Sequence, residues 1–130
     1  MPIRIKSELV KYLAVGGVGA VVDLGIFYYI NKCDVMEVEL AKTISYECGI
    51  VNNFLWNYYW TFRGSRKPIL RAGLLFHAAA ILGMVTNMAL TSFLFRFCSI
   101  EASYAAAFAT MVVCGMNYVL ASRFVFRKPL

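Results

Sequence analysis

Ala72-Gly-Leu-Leu-Phe-His-Ala-Ala-Ala-Ile-Leu-Gly-Met-Val85 runs for a full fourteen positions without a charged side chain. A strand of a membrane barrel would alternate apolar and polar residues with a period of two. This stretch does not alternate, and it continues apolar to residue 97, so it is expected to be a helix immersed in lipid. A bilayer core of ~30 Å needs ~20 mostly apolar residues per crossing. Three further stretches meet that length, and together the four cover 9–30, 38–62, 72–97 and 102–126. The expectation is an all-α integral membrane fold with four transmembrane helices.

Composition agrees. The chain has 130 residues, 61% hydrophobic and 15% charged, with a positive mean hydropathy. Soluble domains carry about 45–50% apolar and about 25% charged residues. Only three short connections and two short tails remain outside the four stretches, so residues 1–130 are expected to form one transmembrane domain without a soluble one. Arg4 and Lys6 precede the first stretch as they would a signal peptide. That stretch exceeds a typical h-region of ~7–15 residues and no small-x-small site follows Ile30, so it is expected to be retained.

Basic residues set orientation. Arg4, Lys6 and Lys11 flank the first stretch, Arg63, Arg66, Lys67 and Arg71 fill the middle connection, and Arg123, Arg127 and Lys128 close the chain. Opposite them stand Lys32, Lys42 and Arg96, offset by Asp34, Glu37, Glu39 and Glu101. Both termini and the middle loop are therefore expected on the cytoplasmic side of the cell membrane. The net charge of +6 is explained by topology and attraction to anionic head groups, with no need of nucleic acid.

The chain repeats itself. Shifted by 64 positions, Gly19 meets Gly83, Asp23 meets Asn87, Lys32 meets Arg96, Glu37 meets Glu101, Asn53 meets Asn117, and Phe62-Arg63 meets Phe126-Arg127. Each unit holds two crossings, so this is a parallel repeat of helical hairpins, not the inverted kind. A site is expected between the hairpins.

Ionisable groups in lipid are expensive and face protein or water. Asp23 shares a stripe with Gly16, Gly19 or Ala20, and Phe27; its expected partner is Lys42. The pair either opens to admit an anionic group or a proton, or neutralises two charges and fixes register. Lys42, Tyr46, Gly49, Asn53, Asn57 and Trp60 recur at helical spacing as one face of the second helix, suited to hydrogen-bonding a sugar and meeting a phosphate. Its alternative is interhelical hydrogen bonding, worth ~0.6–2 kcal/mol per contact. That alternative weighs at least equally for Asn53 and Asn117, whereas Lys42 and Asn57 have only Ala106 and Ala121 as counterparts. Glu47 points elsewhere, and His77 reads as structural. Trp56, Tyr58, Tyr59 and Trp60 read as an interfacial aromatic belt.

The four cysteines, Cys33, Cys48, Cys98 and Cys114, lack metal-site spacing; a Cys33–Cys98 disulfide is conceivable. There is no phosphate loop and no nucleophile–histidine pair. Gly16-Gly17-Val18-Gly19 lies in an apolar helix and reads as a packing surface. No enzyme and no cofactor are expected.

Three segments carry a resemblance. Lys11-Tyr12-Leu13-Ala14-Val15-Gly16-Gly17 with Val22-Asp23-Leu24-Gly25, then Asn57-Tyr58-Tyr59-Trp60-Thr61-Phe62-Arg63, then Asn117-Tyr118-Val119-Leu120-Ala121-Ser122-Arg123-Phe124-Val125-Phe126-Arg127 together resemble the GtrA-like family over nearly the whole chain. Tyr58 departs from it, since the family often has arginine there. The resemblance implies translocation of a polyprenyl-phosphate-linked sugar across the cytoplasmic membrane, for cell-surface polysaccharides, beside a separate membrane glycosyltransferase. On that reading Asp23, Lys42, Asn53, Asn57, Arg63, Asn117 and Arg123 are the candidate substrate-binding residues, with Arg66, Lys67 and Arg71 attracting phosphate. A non-transporting scaffold for a glycosyltransferase is the alternative, and a small multidrug exporter a third. Four helices enclose little volume, so a homo-oligomer is expected.

Overall fold

A computed structural model describes residues 2–65 and 67–126, with side chains from residue 5 onward. Arg66, Arg127, Lys128 and the Arg4 side chain, which carried part of the charge argument, lie outside the described residues. Every described element is helical: α1 (Pro2–Cys33), α2 (Val38–Trp56) running into a π turn (Asn57–Thr61), α3 (Ile69–Phe97), and α4 (Ala102–Leu120) running into a second π turn (Ala121–Val125). The chain divides into two compact units, Met1–Ser65 and Arg66–Leu130. Each is one helical hairpin.

Two helices are longer than expected. α1 begins at Pro2 instead of residue 9, because proline suits the first helical position and no breaker follows it. It continues past residue 30 until Asp34 adopts φ 50°. α3 begins at Ile69 instead of residue 72, where the Pro68 carbonyl accepts the Ala72 N–H at 3.0 Å. An apolar window marks lipid depth, whereas these ends are set by backbone hydrogen bonds. The starts of α2 and α4 fall where expected, at Val38 and Ala102.

The 64-residue repeat is structural. α2 and α4 begin and end 64 positions apart, and so do the π turns. In each turn one backbone bond widens the helix: Phe62 N–H to the Asn57 carbonyl at 2.9 Å, and Phe126 N–H to the Ala121 carbonyl at 2.8 Å. The wide turn brings two successive residues inward, so Thr61 and Phe62 are both buried, as are Val125 and Phe126. Phe62 meets Tyr12 of α1 at 6.3 Å between ring centroids. Phe126 meets Phe76 of α3 at 6.0 Å. Gly64, at φ 91°, then takes the left-handed conformation that ends the first hairpin.

The core of each hairpin is narrow and made of small residues. α2 turns Ala41, Ser45 and Gly49 inward, and α4 turns Ala105, Ala109 and Val113 inward. Gly19 and Gly49 allow α1 and α2 to touch: a Cβ on Gly49 would lie 3.1 Å from the Gly19 carbonyl oxygen. Gly16, Gly17 and Gly25 face open space, so of the glycine stripe only Gly19 packs within the hairpin. Large apolar side chains point outward instead, among them Val21, Leu74 and Met111. An apolar exterior over a thin core is the arrangement of a protein solvated by lipid.

Among the described residues, three helices are long and apolar enough to cross a membrane, spanning Ile5–Cys33, Ile69–Phe97 and Ala102–Val125. α2 is the exception, because Glu39, Lys42, Glu47 and the pair Asn52-Asn53 lower its hydropathy. All four cysteines are free thiols.

Candidate functional site

Two polar residues of the first hairpin, Lys42 and Ser45, converge on Asp23, in the second half of α1. Lys42 of α2 donates to both carboxylate oxygens, at 3.0 and 2.8 Å, so the expected ion pair forms. Ser45, one turn further on, donates to Oδ1 at 2.6 Å. The carboxylate thus holds two charge-assisted partners from one neighbouring helix. The pair is lopsided in exposure: the Lys42 side chain is 48% exposed and that of Asp23 only 17%. The Lys42 ammonium also lies 5.5 Å from the centroid of the Phe27 ring, whose face attracts a cation. A lysine held at one end of its reach and open at the other can exchange the carboxylate for an incoming anion.

The second hairpin has the same place without charge. Asn87 replaces Asp23, and Ala106 and Ala109 replace Lys42 and Ser45. Asn87 donates to Thr110 at 3.1 Å and accepts from Thr91 at 3.4 Å.

The face expected along α2 divides. Gly49 and Asn57 are buried and Asn53 is half-buried, but Lys42, Tyr46 and Trp60 are exposed. The contact line with α1 follows an i+4 ridge through Ala41, Ser45, Gly49, Asn53, Asn57 and Thr61, because such ridges carry helix packing. Reasoning from sequence missed Ser45 and Thr61. Their signal was this spacing, small or polar at every fourth residue. Asn53 packs directly over Gly19, and Asn117, half-buried, packs over Gly83. Below them, Asn57 and Thr61 are buried with Oδ1 and Oγ1 unpartnered.

At the end of α2, Arg63 is exposed and its Nε donates to the Tyr59 carbonyl at 3.3 Å. Lys11 lies over the Trp60 ring, 5.4 Å from its centroid, and Trp60 meets Trp56 edge-on at 6.3 Å. In the second unit Arg123 and Arg71 are exposed, while Lys67 is half-buried and donates to the Phe124 carbonyl. Lys67 therefore caps the second π turn, a favourable place for a cation.

The model of the GtrA/DPMS transmembrane domain matches residues 11–126. The chain belongs to the GtrA/DPMS transmembrane-domain family. Within this GtrA/DPMS relationship, it is 31% identical over 115 residues to a dolichol-phosphate mannosyltransferase of Pyrococcus furiosus, a match covering 88% of this chain and 32% of the relative. It is 38% identical over 64 residues to the membrane protein YngA of Bacillus subtilis, covering 49% of this chain and 42% of that one. The chain thus spans about a third of the first relative's length and about two fifths of the second's.

Proposed function

We propose that this protein translocates a polyprenyl-phosphate-linked sugar across the cytoplasmic membrane, serving the synthesis or modification of a cell-surface polysaccharide. The observation that carries this reading is the Asp23–Lys42–Ser45 network, an anion-exchanging group set inside the hairpin of a GtrA/DPMS domain. A relative named for dolichol phosphate and mannose supports a lipid-phosphate sugar as the cargo. The chain crosses four times with both termini cytoplasmic. α2 makes the fourth crossing despite its polarity, since Lys42 is neutralised by Asp23 and its small-residue ridge is covered by α1. Arg63 meets the phosphate at the cytoplasmic end of the first hairpin, Lys42 receives it further in, and the prenyl tail stays in lipid; Arg123 offers a cation within its own hairpin. The protein is not an enzyme; it works beside a membrane glycosyltransferase and assembles as a homo-oligomer.

A scaffold that recruits a glycosyltransferase is the second reading. It is favoured by the match to part of a longer relative named as a transferase. A multidrug exporter needs a carboxylate free to bind cations, and Asp23 is held by Lys42.

The deciding experiment is transfer of a labelled polyprenyl-phosphate sugar between leaflets of proteoliposomes, wild type against Lys42→Ala. Transfer that needs the protein and collapses in the variant supports the translocase. Absence of transfer with folded protein in the bilayer defeats it and favours the scaffold.

A further inference from the structure

We propose that the sugar ring is held at the first π turn by Asn57 and Thr61, in the first hairpin alone, and that the site accepts an uncharged, hydroxyl-bearing sugar. This rests on the translocase reading for its cargo and deepens it.

Helical threonines ordinarily return their hydroxyl to the carbonyl four residues earlier. Thr43 does so to Glu39 at 2.9 Å, and Thr86 to Leu82 at 2.8 Å. Thr61 does not. It sits in the π turn that the Phe62 N–H closes on the Asn57 carbonyl, and its hydroxyl is left buried without a partner. One turn earlier the Asn57 side chain is 2% exposed, and its Oδ1 is equally unpartnered. A buried polar atom left unpaired destabilises the fold, and this ridge carries three of them, on Asn53, Asn57 and Thr61, so they call for a reason.

Duplication supplies the control. The second hairpin builds the same π turn with Ala121 and Val125 at these places, 1% and 2% exposed. The amide and hydroxyl are therefore not required to form the turn. Asn53 and Asn117 are a different case: both hairpins keep them, and both pack over a glycine. Ser45 and Ala109 are likewise polar in one copy, apolar in the other and buried in both, but Ser45 donates to Asp23. Among the described residues Asn57 and Thr61 combine that pattern with an unpartnered polar atom.

The chemistry of the pair selects the ligand. An amide and a hydroxyl each donate and accept, which matches the hydroxyls of a sugar. The ridge carries no charge between Ser45 and Thr61. A carboxylate on the sugar would be stripped of water there without a counter-ion, which is strongly unfavourable. Phosphate belongs instead to Arg63 and Lys42 at the two ends. Reaching the pair requires α1 and the π turn to part, after which sugar hydroxyls replace the missing partners.

Both tryptophans of the chain, Trp56 and Trp60, flank this turn, so their fluorescence reports binding. The purified full chain in detergent is titrated with a polyprenyl-phosphate hexose, the same polyprenyl phosphate without sugar, and a polyprenyl-phosphate hexuronate. Wild type is expected to bind the hexose lipid at least tenfold tighter than the other two. Asn57→Ala with Thr61→Val, which copies the second hairpin, should bind the bare lipid unchanged, lose the preference and melt no lower than wild type. Thr61→Ser alone should keep the preference. The proposal is overturned if wild type shows no preference, if the double variant retains it, or if melting temperature and all affinities fall together. Interleaflet transfer is measured separately, so failure of translocation is distinguishable from failure of this site.

Discussion

The Asn53 amide lies where Gly19 would carry a Cβ. The two helices meet closely there, and the repeat reproduces the contact. A Cβ on Gly83 would stand 2.7 Å from the Asn117 amide, and the second hairpin places Val113 where the first has Gly49. Two helices pressed together by an amide over a glycine form the invariant part of each hairpin. The differences between the hairpins are laid over that frame.

Gly19→Ala and Gly83→Ala should each destabilise the protein by about 1–3 kcal/mol, as overpacking does, with Gly19 the worse. Gly16→Ala faces open space and should be neutral or stabilising by about 0.5–1 kcal/mol, the ordinary gain of replacing a helical glycine. Thermal unfolding in detergent separates the three. Equal losses at Gly16 and Gly19 would contradict the packing described.

The Asp23–Lys42 pair makes a different demand. Asp23→Leu and Lys42→Met should each lower stability, because each leaves a charge in the hairpin without its partner. The double variant should recover most of the loss, with a coupling of about 1–2 kcal/mol in a double-mutant cycle. Transfer of the lipid-linked sugar should be lost in all three. Recovery of stability without recovery of transfer is the signature of a functional pair. Recovery of both would reduce the pair to a structural device.

That pair was legible in the sequence because opposite charges in an apolar setting have few places to go. The repeat was legible because its matched residues are polar, and polar matches are rare in lipid-facing sequence. The spacing that puts Ser45 and Thr61 on the contact ridge was legible, but their roles were not. A hydroxyl in a helix ordinarily bonds its own backbone, as Ser45 also does to the Lys42 carbonyl at 3.0 Å. Nothing in one sequence says that Ser45 also reaches Asp23 or that Thr61 is left unpartnered. Neither π turn could be read from Asn57-Tyr58-Tyr59-Trp60-Thr61, whose residues suit an α-helix equally well. The wide turn arises where the hairpin must bury Thr61 and Phe62 together. It is a demand of packing at the end of α2, after the ridge that meets α1 has been set.

Phe62 and Phe126 close the two hairpins from equivalent places, 2% and 1% exposed. Replacing either by alanine removes a buried ring and its contact with Tyr12 or Phe76, which costs about 3–5 kcal/mol in protein cores. Because the repeat makes them structural counterparts, Phe62→Ala and Phe126→Ala should lower the melting temperature by similar amounts. A loss at one site several times larger than at the other would mean that the hairpins do not share this closure.

The proposed topology makes a prediction about the cysteines. Cys33 and Cys98 are exposed, each at or just beyond the end of a long helix, whereas Cys48 and Cys114 are half-buried within α2 and α4. With both termini cytoplasmic, Cys33 and Cys98 lie on the outer side. A membrane-impermeant maleimide added to intact cells should label those two and leave Cys48 and Cys114 unmodified until the protein is denatured. A single cysteine introduced at exposed Pro68 by Pro68→Cys in a background lacking the other four should react only after the membrane is opened. Labelling of Pro68→Cys in intact cells would invert the orientation and place the middle connection outside. Labelling of Cys33 from outside and Cys98 from inside would mean that the chain crosses an odd number of times between them. In that case α2 would not span the bilayer, and Lys42 would meet the sugar phosphate at the membrane surface instead of within it.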